Sequence, residues 1–457
     1  MNKSNELFVT IDKSKIFEYA RKSSLSHRLT TAAKAGSSVF ENEWNKLCNV
    51  PYARELQGKI TIQEIFRDNW NDFLEIQKKK GKPIRDSIIK NVDKMIKCRD
   101  FRYGYLYFEC PKCGDFYIRG FSCHSRFCAS CGKKYRDARA KEISEKCLDV
   151  PHRHITWTIS KKLRIFFAYY RGLYDELFKS VNDVLTYLIQ NKSKKNRDLG
   201  KRLGFVSILH TFGRDMKFNP HIHTLIAECT LDKNGKREKY EYFNYASLRK
   251  SFMSQLTKRM YHYLKKHAPS YVLNEFSKVR NEIYTTYDKG FYVHAPKRQG
   301  KSKKSIKATV NYVVRYAGHP AMSESRITSY DEETKTISYY YDPHEDDAIL
   351  DDEDKIGRQY VTESVYDFIA KLIIHIPNES VHNTRYYGFY ANKCKINKND
   401  EKKLYNSYEI NKMNQDLDWR SKLISTYHYD PLMCKCGAIM KIDLKLSYFP
   451  NPKKDGG

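Results

Sequence analysis

The stretch "GFVSILHTFGRDMKFNPHIHTLIAE", residues 204 to 228, sets two runs of β-branched, aromatic and other apolar residues on either side of a short polar connection. Runs of that kind predict two strands joined as a hairpin. A strand sends residues i and i+2 to one face, so His221 and His223 share a side while Ile222 and Ile226 line the other. With the turn centred near Asp215 and Met216, His210 stands opposite His221 on that same side. Directly opposed residues bring their Cβ atoms to about 5 Å. "RHITWTIS" predicts a further strand, and "RIFFAYYRGLYDELFKSVNDVLTYLIQ" predicts one long amphipathic helix between the two strand regions. Nearer the start, "TIQEIFRDNWNDFLEIQKKKGKPI" carries apolar residues at helical spacing within a basic region, residues 1–97. "KKYRDARAKEISEKCLD" reads as a connecting helix. In "ATVNYVVRYAGHP" the residues Val310, Val313, Val314 and Ala317 recur as one packing face of a helix, closed by Gly318 and Pro320. Tyr312, Arg315 and Tyr316 then share another face, the two tyrosines one turn apart. Read as a strand instead, the segment would still put both tyrosines on one side.

Composition narrows the class of partner. The chain has 457 residues, room for two or three domains, and its 40% hydrophobic content supports packed cores. Its formal net charge is +29, an excess that points to a polyanion, and to nucleic acid rather than a membrane surface. No apolar run approaches the roughly 20 residues that span a bilayer, and "MNKSNELFVTIDKS" lacks the apolar segment of a signal peptide. A cytoplasmic, nucleic-acid-facing protein with no membrane partner is expected. The tract "APKRQGKSKKSIKA" reads as a solvated loop able to touch phosphates, and "HEDDAILDDEDK" as an exposed acidic patch.

Twelve cysteines in such a protein argue for metal rather than disulfides. Six of them fall between Cys98 and Cys131. "CPKCG" supplies Cys110 and Cys113, and "CASCG" supplies Cys128 and Cys131; two such knuckles predict a four-thiolate zinc ribbon. Cys98 and Cys123 could replace one of these ligands or serve a second site, with His124 also at hand. Four thiolates leave no open position, so this zinc reads as structural. The basic and aromatic surroundings, with Arg126, Lys133 and Lys134, suit contacts to a nucleic-acid backbone.

The motifs are weak singly. The 15 histidines give about half an H-x-H pair by chance, and His152 and His154 form a second one here. The 36 tyrosines give about three chance Y-x3-Y pairs, and Tyr103/Tyr107, Tyr170/Tyr174 and Tyr386/Tyr390 compete with Tyr312/Tyr316. Their order is what discriminates. A cysteine ribbon followed by "VPHRHITWTIS", "LHTFG", "NPHIHTL", "YVVRYAGHP" and "HIPNESVHNTRYYGFYAN" resembles the rolling-circle transposases of bacterial insertion sequences, from about residue 90 to 440. These are HUH single-strand endonucleases with two tyrosines.

The resemblance implies an α+β chain. A helical DNA-binding region (1–97), a zinc ribbon (98–135) and a connecting helix (136–149) would precede an endonuclease domain (150–330) with a central antiparallel sheet flanked by helices. Residues 331–457 would form an accessory region. The resemblance further implies that His221 and His223 are the metal-binding pair, with His210 the candidate third ligand, and that Tyr312 and Tyr316 are the nucleophiles. Arg315 would grip a phosphate. Mg2+ or Mn2+ is the expected catalytic ion, zinc the structural one, and single-stranded DNA the partner, without a nucleotide cofactor. A replication initiator or relaxase with the same chemistry is the near alternative; a non-catalytic zinc-ribbon binder is the distant one. Asn219 departs from the family by standing where a histidine often precedes the proline, and "CKCG" (Cys434, Cys436) is one residue shorter than the family's C-x2-C-G element.

Overall fold

A computed structural model describes residues 60–100, 103–191, 193–294, 303–314, 320–343, 357–379, 381–394 and 432–449, with isolated positions 404, 420, 424 and 430. Helix α1 (Ile62–Lys79) starts where the Thr61 side chain accepts from the Glu64 amide, and it buries Ile62, Ile65, Phe66, Trp70 and Phe73 along one stripe. Helix α2 (Asp86–Ile96) buries Ile88, Val92 and Met95. A hairpin of β1 (Tyr105–Glu109) and β2 (Phe116–Gly120) follows, then helix α3 (Ala129–Lys146), which begins inside the second C-x2-C element.

Next come β3 (His152–Trp157), α4 (Lys161–Tyr169), α5 (Leu173–Thr186), a short α6 (Lys194–Asp198), β4 (Arg202–Phe212), β5 (Phe218–Leu231) and β6 (Arg237–Lys239). Two helices, α7 (Tyr245–His267) and α8 (Ser270–Thr286), lead to β7 (Val293–His294) and α9 (Lys303–Val314). The chain then builds β8 (Ile327–Asp331), β9 (Thr336–Tyr341), β10 (Gln359–Ser364), α10 (Val365–Ile373), β11 (Thr384–Gly388) and β12 (Lys441–Tyr448).

The central sheet has the order β11-β4-β5-β3-β7, with β6 beside β5, and every pairing is antiparallel. Helices cover both of its faces, which is why β4 and β5 read as nearly unbroken apolar runs. On one face Trp157, Phe205, Ile222 and Ile226 pack against α4, α5, α7 and α8. On the other, Val206, Ile208, Leu225 and Ala227 pack against Ile143 of α3 and Ile306, Val310 and Val313 of α9. The expected α+β class, antiparallel sheets flanked by helices, is what the chain adopts.

Local expectations need three corrections. The long helix is two, α4 and α5, broken before Gly172; a Cβ there would collide with the Tyr263 hydroxyl of α7, so the chain turns where that helix crosses it. The tract read as a basic loop is helical from Lys303 onward, with 295–302 outside the described residues, as is the acidic patch. Packing also runs across the expected divisions of the chain. Helices α1 and α2 share one core with β8, β9 and α10, and strand β12 pairs with β1 to form a sheet in the order β12-β1-β2. Among the described residues no helix is long and apolar enough to cross a membrane.

Candidate active site

The β4–β5 hairpin places three imidazoles at one spot. His210 pairs across from His221 in the ladder, as the periodicity predicts, and His223 is next on the same side of β5. Ligand atoms of His210, His221 and His223 lie within 4.8 Å of one another, and each residue is less than a tenth exposed. The two Nε2 atoms of His221 and His223 are 3.0 Å apart. Nitrogens bound 2.1 Å from one ion at right angles would be about 3.0 Å apart, so the pair suits an octahedral divalent cation.

The surroundings prepare these rings as ligands. His221 Nδ1 donates to the Asn219 carbonyl at 2.7 Å, which fixes its proton there and leaves Nε2 with a free lone pair. Burial, outweighing that hydrogen bond, lowers the His221 pKa to about 4. Burial, then the neighbouring His221, His210 and His154, pushes His223 well below the usual range. Both are therefore neutral at pH 7, the state a cation needs. The Asn219 side-chain oxygen, two residues before His221 on the same side of β5, is buried without a hydrogen-bond partner among the described residues. An acceptor so placed suits a water carried by a bound ion.

His154 completes the group. Strand β3 runs beside β5, and His154 Nε2 lies 2.8 Å from His223 Nδ1. With His223 Nε2 turned to a cation, its Nδ1–H donates to His154, a partner of the kind that orients metal-bound imidazoles. The clue was the second H-x-H element, but nothing in the order of residues says that β3 and β5 are neighbours. The other member of that element is structural: His152 Nδ1 lies 2.8 Å from the Val150 carbonyl and Nε2 2.8 Å from the Tyr390 hydroxyl.

Helix α9 lies over this side of the sheet. Buried Val310 and Val313 face it, as the helical spacing predicts, and Tyr312 projects beside the histidines at 37% exposure. The Tyr312 ring meets His154 edge-on, centroids 5.7 Å apart. Arg315 and Tyr316 lie outside the described residues. In the competing pairs, Tyr107, Tyr174 and Tyr390 are each buried to 3% exposure or less. Tyr390 also accepts the Leu148 amide, a fixed role in the core.

The cysteines divide differently from the ribbon expected. Cys98, Cys123, Cys128 and Cys131 form one group, while Cys110 and Cys113 join Cys434 and Cys436 in another. The structure does not bring Cys110 and Cys113 together with Cys128 and Cys131. The reason is the β1–β2 hairpin: Cys110 and Cys113 sit at its tip, Cys98 and Cys123 at its base, and five residues of strand separate the two ends by roughly 17 Å. In the base group, Cys98 lies 3.7 Å from both Cys131 and Cys128, and Cys123 lies 3.7 Å from Cys131. Zinc with 2.3 Å bonds to four sulfurs spaces them about 3.8 Å apart, so this group fits a tetrahedral ion. The thiols of Cys123, Cys128 and Cys98 converge on Cys131 and hold it as a thiolate, far below the usual thiol range. Arg126 beside this site is exposed and stacks 4.4 Å over the Tyr135 ring, and Lys133 and Lys134 occupy the first turns of α3. Burial lowers the Lys134 pKa, and the nearby Arg119 and Arg99 lower it further, so positive charge is concentrated here.

Comparison with known proteins gives the geometry a context. Residues 204–398 match a family described as "Putative transposase", and residues 65–159 match one described as "Transposase zinc-binding domain". The chain is 28% identical over 317 residues to a "Transposase for insertion sequence element IS801" of Pseudomonas savastanoi pv. phaseolicola, an overlap of 68% of this chain and 72% of the relative. It is 24% identical over 314 residues to "Putative transposase y4qJ" of Sinorhizobium fredii, covering 66% of this chain and 74% of that one. No solved structure matches. The first match contains β5, α9, β11 and all but the first two residues of β4, and the second contains all of the base cysteine group.

Proposed function

Since the chain belongs to the insertion-sequence transposases and carries their zinc-binding module, we propose that it cuts and rejoins single-stranded DNA through a 5′-phosphotyrosine, in transposition of the rolling-circle type. The observation that carries this reading is the juxtaposition of three buried imidazoles with a tyrosine held over them by α9. Mg2+ or Mn2+ held by His210, His221 and His223 would polarise a phosphoryl oxygen and offset the charge that develops on it. The Tyr312 hydroxyl attacks phosphorus; the new O–P bond forms as the P–O3′ bond breaks, the phenolic proton is released, and the departing oxygen takes up a proton as a 3′-hydroxyl. Attack of a 3′-hydroxyl on the phosphotyrosine reverses the sequence and rejoins a strand. The bond energy stays in the tyrosyl ester, so no nucleotide cofactor is required. Tyr316, four residues on in the sequence, is the second nucleophile, able to hold a second end while the first is engaged, and Arg315 contacts the phosphate. Arg126, Lys133 and Lys134 of the zinc-binding module contact the DNA backbone.

The test is covalent capture. Protein is incubated with Mn2+ and 5′- or 3′-labelled single-stranded DNA bearing the element's ends, and denaturant-stable complexes are digested with trypsin. Cleavage after Arg315 separates the peptide of Tyr312 from that of Tyr316, and the nucleotide is expected on one or the other, retaining the label 3′ of the break. Attachment at Tyr103, Tyr107, Tyr386 or Tyr390, or an adduct that persists when Tyr312 and Tyr316 are both phenylalanine, overturns the proposal.

A further inference from the structure

Outside the catalytic face, the most complete donor set is the tip group of cysteines, which the zinc-binding match covers only in part: residues 65–159 contain Cys110 and Cys113 but not Cys434 or Cys436. Their sulfurs are nonetheless crossed in space. Cys110 Sγ lies 3.5 Å from Cys436 Sγ, and Cys113 Sγ lies 3.5 Å from Cys434 Sγ, in residues 326 and 321 positions apart. That spacing is far beyond a disulfide and close to the edge of a zinc–thiolate tetrahedron.

Both chain segments take the form of metal knuckles. At the hairpin tip the Gly114 amide donates to the Cys110 carbonyl, with Gly114 at φ +68°; in the C-terminal segment the Gly437 amide donates to the Cys434 carbonyl, with Gly437 at φ +82°. Positive φ is the reason glycine follows each pair. The C-terminal knuckle is one residue shorter, C-x-C in place of C-x2-C, yet it closes through the same kind of turn. Amides of Lys112 and Cys113 point at Cys110 Sγ, and that of Cys436 at Cys434 Sγ. Strand pairing sets the two knuckles against each other, because Glu109 at the end of β1 is in register with Lys441 at the start of β12. Phe108 and Met440 pack in the same small apolar cluster as Cys110 and Cys434.

We infer that Cys110, Cys113, Cys434 and Cys436 bind a second structural zinc ion, which locks the C-terminal strand into the N-terminal zinc-binding module. The full chain then carries two thiolate-held zinc ions, and the module's fold depends on residues more than 300 positions downstream.

The experiment uses the full-length zinc-loaded protein. Zinc released by a thiol-specific mercurial is counted with a colorimetric chelator, which leaves imidazole-held metal out of the count, and alkylation of each cysteine is mapped by mass spectrometry. Two zinc equivalents are expected from the wild type and one from the double variant Cys434→Ser, Cys436→Ser. In that variant Cys110 and Cys113 become alkylated while Cys98, Cys123, Cys128 and Cys131 stay protected, which also reports that the rest of the module is folded. Should the variant fail to fold, the wild-type count with stepwise alkylation under chelator still decides, since both knuckles must lose protection together. One equivalent from the wild type, or Cys110 and Cys113 still protected in the variant, overturns the inference. Protection that survives a chelator and vanishes with a reductant means disulfides and overturns it equally.

Discussion

The base cysteine group and the histidine group are both metal-fitting clusters, built to opposite plans. Cys98, Cys123, Cys128 and Cys131 surround a point with four sulfurs, and their spacing leaves an ion no free position. The histidines offer three nitrogens from two adjacent strands, with Tyr312 on the facing helix and, on the same side, a buried Asn219 oxygen that has no hydrogen-bond partner among the described residues. The first arrangement is a staple that joins α2, the β1–β2 hairpin and α3. The second is rigid without an ion, because a six-stranded sheet already holds its ligands. The stapled region should therefore lose its fold with its metal, and the sheet region only its chemistry.

The largest effect should come from the staple. Cys98→Ser or Cys128→Ser removes a ligand whose metal is worth on the order of 10 kcal/mol of folding free energy, so residues 98–146 should lose protection from hydrogen exchange and one zinc should leave. Unchanged zinc content and melting would erase the contrast between the two sites. On the sheet, His221→Ala or His223→Ala should lower nicking at least ~1,000-fold, the several kcal/mol that a catalytic cation supplies, while DNA affinity set by basic residues changes little. Wild-type cleavage by either variant would make the histidines structural. Tyr312→Phe keeps the packing and removes the attacking oxygen, so at least one cleavage step should vanish with the melting temperature shifted by a degree or two at most. His154→Ala should weaken metal binding by about 10- to 100-fold, as loss of a ligand-orienting partner does; binding calorimetry with Mn2+ reads it directly, and an unchanged affinity removes His154 from the site. The effect least tied to either metal site is that of acid. Burial lowers the pKa of His152 and His375 to about 4 from a usual 6.5, so the unfolded chain takes up protons that the folded chain refuses. Stability should be flat above pH 6.5 and fall by about 1.4 kcal/mol per unit for each group between there and pH 4. Denaturant melts at pH 7 and 5.5 measure it, and a rise in stability on acidification would contradict these burials.

The sequence was most legible where chemistry depends on near neighbours. Period two placed His221 and His223 on one side of β5, a turn centred near Asp215 and Met216 set His210 against His221, and period 3.6 picked out Val310 and Val313 as the buried face beneath Tyr312. It was least legible where distant segments meet. His154 joins the site only because β3 is the neighbour of β5. Cysteine spacing alone favoured pairing Cys110 with Cys128, whereas the hairpin between them carries one pair away, and β12 supplies Cys434 and Cys436 in exchange. Helices α1 and α2 likewise complete their core with β8, β9 and α10, a partnership their periodicity calls for without naming. The break between α4 and α5 needed the position of Tyr263 on α7.

The pairing of β12 with β1 also sets a schedule for biosynthesis. Tyr107, whose amide donates to Ser447 Oγ, leaves the ribosome 340 residues ahead of its partner. At roughly 5–20 residues per second that is a wait on the order of tens of seconds, during which β1 is an unsatisfied strand edge and its tip thiols have no downstream partners. The central sheet, whose strands from β3 to β7 are nearer neighbours in the chain, can assemble in the interval. The hairpin should therefore be among the last parts of the nascent protein to set, and a message cut short before β12 should yield a folded sheet joined to an unfinished zinc-binding module.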